Sequence, residues 1–200
     1  MSDERENRAW HIAGHAWAGM TFGFPVRFLD LDGISEAQVE AYKGSQRLDP
    51  WTLLSVSPCD KNARSRTHEH LIYTAFAGPS LELLHRKIPC TVDRVRVFES
   101  DWQQAWRSGG YLYGNDQERL AWLTRFAENS TAIMIDPPTQ AFVQALVPIL
   151  LERGRLTAID VAMIWTNTQE ALEEEANRIE RPSRKKPRRQ EIDPWPGMWP

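Results

Sequence analysis

Apolar residues recur at helical spacing along most of the chain, and the breaks between these runs define the expected elements. The first run opens at Asp3, which forms a capping box with Glu6, and continues to about Met20. Within it Trp10, Ala13 and Trp17 make a core-facing stripe, and His11 and His15 lie on a neighbouring one. Gly14 and Gly19 each cost about 1 kcal/mol relative to Ala inside a helix, so backbone or a bulky group is expected to approach closely at both. Phe24 to Leu31 alternates in part and reads as a strand that ends at the Asp32-Gly33 turn. Ser35 to Arg47 reads as a short surface helix, Trp51 to Val56 as a second strand, and Pro58 to Arg66 as a loop. The two strands are expected to pair in a small sheet beside the first helix.

Thr67 to Lys87 is again apolar-periodic. Pro79 interrupts it and predicts a kinked helix or two abutting ones. His68 and His70 are two residues apart, so they cannot chelate together from a helix and read as surface or loop side chains; His85 alone reads as packed or solvated. The alternation from Val92 to Phe98 predicts a strand. Ser100, with Gln103 three residues on, predicts a capped helix start that places Asp101 in the first turn. Helices are then expected from Asn115 or Asp116 to Asp136, from Thr139 to a left-handed stop at Gly154, and from a Thr157/Asp160 cap onward. The expected fold class is mainly α with a small β-sheet, an α+β arrangement, with one domain over residues 1–176.

Composition changes this picture mainly at the C-terminal end. Residues 177–200 form a basic, Pro/Trp-rich tail expected to be disordered alone, with its basic block at 184–189. A chain of 200 residues with 42% hydrophobic content can bury one sizeable core. The net charge of -3 argues against a general nucleic-acid binder, leaving nucleic acid only to the 184–189 block. Cys59 and Cys90 stand in no ligand spacing and suggest reduced thiols. No run approaches a membrane span, and the acidic start at Ser2 to Glu6 is unlike a signal peptide, so a cytoplasmic protein without membrane contact is expected.

The candidate chemistry lies in the first helix. Two histidines four residues apart project from one helix face with Cβ atoms about 5–6 Å apart, a spacing that suits a shared metal. It suits equally well two core histidines held by hydrogen bonds. In an H-E-x-x-H zinc peptidase helix the Glu after the first His is the general base; here that position is Ile12. Asp101 likewise has an ordinary explanation, since an acid at a helix N-terminus is favourable by about 0.3–1 kcal/mol without any metal.

Ala9-Trp10-His11-Ile12-Ala13-Gly14-His15-Ala16-Trp17-Ala18-Gly19 resembles the A-x-H-E-A-G-H-A-x-x-G helix of the FtsH-type zinc metallopeptidase domain. Ala77-Gly78-Pro79-Ser80-Leu81-Glu82 looks like that family's A-G-x-x-A-E segment, and Ser100-Asp101 is similar to the S-D that opens its next helix. Leu151 to Thr157 resembles a helix-turn-helix near the end of small stand-alone relatives. The resemblance implies a zinc-metallopeptidase-like helical domain, with His11, His15 and Asp101 as zinc ligands and Glu82 steadying a ligating histidine. The family's ATP-binding loop and membrane anchor have no counterpart here, so ATP is not expected as a cofactor.

Three function classes follow. The first is a catalytically impaired metallopeptidase-like protein, a pseudoenzyme that binds a peptide or protein partner; it rests on Ile12, since lost general acid–base assistance is worth about 10²–10⁴-fold. The second is an active zinc hydrolase in which Glu69, Glu82 or Glu99 replaces the base. The third is an interaction protein working through its basic C-terminal tail.

Overall fold

The computed structural model describes residues 2–24, 26–31 and 61–180. The helix expected over 35–47, the strand over 51–56, Cys59 and the chain from 181 onward, including the 184–189 block, lie outside the described residues. The protein is mainly helical, with seven helices and one two-stranded antiparallel sheet among the described residues. In chain order these are α1 (Ser2–Phe22), β1 (Phe28–Asp30), α2 (Lys61–His85), α3 (Val92–Val95), α4 (Glu99–Leu112), α5 (Asp116–Met134), α6 (Pro137–Arg153), β2 (Arg155–Thr157) and α7 (Ala158–Glu180).

Helix α2 is the axis of the fold. From Leu71 to Leu83 it is buried on nearly every side, with only Tyr73 and Glu82 less than fully covered. One side, through Ala77 and Leu81, joins an apolar cluster with Ile12, Ala13, Trp17, Phe142, Leu146 and Leu156. The other, through Ile72, Phe76 and Leu83, joins Val95, Ala105, Leu123 and Phe126. Burial of this kind stabilises by about 25 cal/mol per Å² of apolar surface, which holds α2 in place although Pro79 lies inside it. The helix is continuous through that proline, and it starts at Lys61, so the stretch up to Arg66 that reads as loop from composition is helical. Helix α1 runs antiparallel to α2: Trp10 stacks on His85 at one end, and Phe22 stacks on His70 at the other. Gly14 is where the two backbones meet; a Cβ there would lie 2.3 Å from the Ala77 carbonyl oxygen.

The sheet corrects two expectations. The first strand covers only Phe28–Asp30, shorter than expected, and pairs with β2, Leu29 opposite Leu156, while its expected pairing with 51–56 lies outside the described residues. Both leucines are buried, and Leu31 N–H continues the ladder to Gly154 O at 2.8 Å. Residues 92–98 form no strand: Val92–Val95 makes a single helical turn. The alternation offers Val92, Val95 and Val97, but only Val95 is fully buried and Val97 is 77% exposed, so a three-residue helical spacing serves the core and no strand partner is needed.

The later helices end where local chemistry dictates. Asn115 caps α5 through its side chain, which accepts from Glu118 N–H. Gly154 closes α6 at φ 70, the left-handed geometry that glycine adopts at least cost. Thr157 and Asp160 cap α7 reciprocally, at 2.8 Å from Thr157 N–H to Asp160 and 3.2 Å in return. Helix α7 runs on to Glu180. Among the described residues no single helix is long and apolar enough to cross a membrane. Helices α5 and α6 together reach that length and apolarity, but they meet at 75° and spend their apolar residues in the two core clusters.

Candidate metal centre

Three helices converge on one group of donors. His11 and His15 come from consecutive turns of α1, Asp101 from the first turn of α4, and α2 supplies the backing. The Nε2 atoms of the two imidazoles are 3.0 Å apart. Each also faces its own carboxylate oxygen: His11 Nε2 lies 3.2 Å from Asp101 Oδ2, and His15 Nε2 lies 3.3 Å from Asp101 Oδ1. One ligand atom from each residue lies within 4.8 Å of the others.

The far side of each ring fixes which nitrogen is presented. His15 Nδ1 is 2.9 Å from the Thr74 carbonyl oxygen and His11 Nδ1 is 3.1 Å from Glu82 Oε2. A carbonyl and a carboxylate can only accept, so both Nδ1 atoms carry protons and both Nε2 atoms turn to the centre. Such outer hydrogen bonds fix the tautomer and ring orientation of metal-binding histidines. Glu82 is itself held, with Oε1 accepting from Arg86 Nη1 at 3.1 Å. Phe98 stacks on the His11 ring at 5.2 Å between centroids.

The backbone is shaped around these side chains. A Cβ on residue 78 would sit 2.3 Å from His15 Nε2, so only glycine leaves room for that imidazole. Helix α4 begins one residue before Ser100, so the Ser100/Gln103 capping box does not form. Its N-cap is Phe98, whose ring has no hydrogen-bonding group to offer as a cap, and Gln103 instead bonds the Glu99 carboxylate at 3.0 Å. Asp101 therefore enters the centre from a helix whose N-cap residue makes no polar cap and stacks on His11.

The electrostatics follow from burial among opposite charges. Burial alone would lower the His11 pKa, but hydrogen bonds to Asp101 and Glu82, and then their charges, raise it from 6.5 to about 9. Burial alone would raise that of Asp101, but the His15 charge, hydrogen bonds to both imidazoles and the His11 charge hold it well below the usual carboxylate range.

Two imidazoles and a carboxylate make a donor set that could hold a metal ion. Zinc binds imidazole nitrogen at about 2.0–2.1 Å and carboxylate oxygen at about 2.0–2.2 Å in tetrahedral sites, which places neighbouring donors about 3.3 Å apart. The two Nε2 atoms, 3.0 Å apart, come near that edge, whereas Asp101 meets the imidazoles through different oxygens, Oδ2 to His11 and Oδ1 to His15, and one donor from each residue lies within 4.8 Å of the others. His11, His15 and Asp101 would hold the ion, and three protein ligands leave one position for a further ligand.

The remaining sequence candidates fall elsewhere. Ile12 is 5% exposed and belongs to the apolar cluster of α1, α2 and α6. Glu82 has one oxygen on His11 and the other on Arg86. Glu99 is exposed and bonded to Gln103. Glu69 lies on α2 more than a turn beyond Thr74, where its charge helps to raise the pKa values of Tyr73 and Tyr113 after burial. His68 and His70 are on helix α2 rather than in a loop; His68 is buried and stacks on Tyr111 at 4.5 Å. Thr74, Gly78, Arg86 and Phe98 complete the surroundings of the centre and were not singled out for it by sequence reasoning. Only Arg86 had a local signal, its i,i+4 spacing from Glu82.

Comparison with protein-family models, with curated proteins and with solved structures gives no match to this chain.

Proposed function

We propose that this is a zinc-binding protein on a metallopeptidase-like helical domain, which uses the site to bind a peptide or protein partner rather than to hydrolyse peptides. The observation that carries the reading is that two imidazoles of α1 and Asp101 of α4 converge in a donor set of the zinc type, while Ile12, the residue after His11, lies in the apolar core. His11, His15 and Asp101 supply the metal site, with Glu82 and the Thr74 carbonyl orienting the imidazoles. Zinc held by His11, His15 and Asp101 would supply Lewis acidity toward a carbonyl or carboxylate of a partner. The ligand side chains are 15–23% exposed.

The alternative glutamates give a hydrolytic reading little support. Both oxygens of Glu82 are engaged, Glu99 is paired at the surface, and Glu69 stands beyond the Thr74 turn. General-base work needs a group within about 2.6–3.2 Å of the proton it takes, and the carboxylates seen on these imidazoles are Asp101, a candidate ligand, and Glu82, which Arg86 also holds.

Metal analysis of purified protein tests the reading. Zinc near one equivalent per chain is expected in the parent, falling to background in His11→Ala and Asp101→Ala. A parent without zinc removes the metal centre. Peptide cleavage by the parent that a chelator abolishes would instead establish a hydrolase.

A further inference from the structure

The Glu82 carboxylate is 12% exposed and bridges two donors, with Oε2 on His11 Nδ1 at 3.1 Å and Oε1 on Arg86 Nη1 at 3.1 Å. Glu82 and Arg86 are one helical turn apart at the end of α2, so the order Arg86, Glu82, His11 runs from the surface to the candidate centre. The backbone beneath this relay is fixed. Arg86 N–H closes the last turn on Glu82 O at 3.0 Å, Lys87 takes the left-handed conformation at φ 58, and Ile88 N–H returns to Leu83 O at 2.8 Å. This is a Schellman closure, and it turns Ile88 back to pack on the core cluster that contains Leu83. At its outer end Arg86 lines a groove of about 410 Å³ with Glu6, Asn7, His85 and Ile88.

We propose that Arg86 is a positioning residue of the metal site: by holding Glu82 Oε1 it presents Oε2 to His11 Nδ1, and so keeps His11 Nε2 aimed at the metal. The inference rests on the metal-site reading above. A carboxylate with only one oxygen tethered can rotate about its last bond. A carboxylate with an arginine on the other oxygen cannot rotate without breaking a charge-assisted hydrogen bond. Outer hydrogen-bond partners of zinc-binding histidines commonly change metal affinity by about 10–100-fold, although they touch no metal. Arg86 is 42% exposed, and half-exposed ion pairs add little to folding, so its removal is expected to leave the fold intact.

The test compares Arg86→Gln, Arg86→Lys, Glu82→Gln and the Arg86→Gln/Glu82→Gln double variant, with zinc affinity measured by competition against a chromophoric chelator. Arg86→Gln is expected to weaken zinc about tenfold. Arg86→Lys should restore most of that loss, and Arg86→Gln should cost nothing further once Glu82 is Gln. Arg178→Gln removes the remote Glu175 pair and serves as a control without effect. Imidazole nitrogen NMR of the metal-free chain reads the same relay independently: the His11 Nδ1–H signal should shift or broaden in Arg86→Gln and recover in Arg86→Lys. Unchanged affinity with an unchanged His11 signal would overturn the proposal, as would equal losses from Arg86→Gln with and without Glu82. If the parent takes up no zinc, the metal reading fails separately and the metal-free spectra still decide whether Arg86 positions His11.

Discussion

Gly78 on α2 faces His15 on α1 so closely that a Cβ at position 78 would lie 2.3 Å from the imidazole Nε2. The contested atom is the end of a side chain, so the imidazole can yield while the helices stay packed. Gly78→Ala is therefore expected to leave thermal stability within about 1 kcal/mol of the parent, since Ala also gains about 1 kcal/mol of helix propensity. It should weaken zinc at least tenfold, because His15 Nε2 is displaced from Asp101. Titration with a zinc chelator alongside thermal melts checks both halves.

Gly14→Ala should do the opposite. Its Cβ would meet backbone, at 2.3 Å from Ala77 O and 2.9 Å from Gly78 Cα, so α1 and α2 must move apart. Overpacking of this kind costs about 1–3 kcal/mol, only partly offset by about 1 kcal/mol of helix propensity. The melting temperature should fall by roughly 2–4 °C for each kcal/mol in a domain of this size. A melt unchanged by Gly14→Ala would show that the helices do not cross at this residue.

The contrast between these glycines also shows what could be read without coordinates. A glycine inside a helix signals close approach, and Gly14 has it, but the sequence does not say whether the neighbour is backbone or a ring. Helix ends were legible where a local rule decides them, as at Asn115, Gly154 and Thr157/Asp160. Strand β2 was not, because Arg155-Leu156-Thr157 is three residues with one buried side chain, too short to display a period; it exists because Leu156 meets Leu29 from distant sequence. The valines of 92–97 misled for the related reason that an alternating run needs a partner strand to become one. In the candidate centre, the helical spacing put His11 and His15 on one face, whereas Asp101 entered through the resemblance alone. Thr74 had no readable signal, since it acts through a carbonyl that every residue possesses.

Lys87 sits at φ 58, and a non-glycine residue in that conformation carries about 1–2 kcal/mol of steric cost. Glycine removes it while adding back some unfolded-state entropy. Lys87→Gly is thus expected to stabilise by about 0.5–1 kcal/mol in denaturant unfolding, with zinc affinity unchanged because the Schellman closure under Arg86 is retained. Lower stability in this variant would mean that the turn after α2 is held differently.

The raised pKa of His11, about 9 against 6.5, sets the pH behaviour. Its protonated form stabilises the metal-free fold fully below about 6.5, and this contribution fades as pH rises toward 9. The depressed Asp101 contributes in the other direction, present above the ordinary carboxylate value of 3.8 and lost as pH falls through its lowered value. Metal-free protein should therefore melt highest between about pH 4 and 6.5 and lose stability toward pH 9. Zinc must displace the His11 proton, so apparent zinc affinity should climb by up to about tenfold per pH unit between 6.5 and 9. Chelator competition at three pH values in this window measures the slope, and a flat profile above 6.5 would contradict the charge pairing at His11.

Ile12→Glu tests whether the residue after the first histidine belongs to the core or to the site. Ile12 is 5% exposed among Ala9, Ala16 and Leu146, so a carboxylate placed there loses its hydration unless a cation compensates. In the metal-free protein the substitution is expected to cost at least about 2 kcal/mol, against about 0.5–1.5 kcal/mol for Ile12→Val, which removes one methylene and no hydration. The helix places residue 12 next to His11, so a glutamate can turn toward zinc and recover part of that loss. Added zinc should then raise the melting temperature of Ile12→Glu by more than that of the parent, and chelator-sensitive peptide cleavage should appear in the variant alone. A variant that zinc stabilises no more than the parent, and that stays inert, would show that position 12 points only into the core. In that event the helix holds a metal without the geometry of a peptidase, and the likeness of its motif to H-E-x-x-H would carry no catalytic meaning.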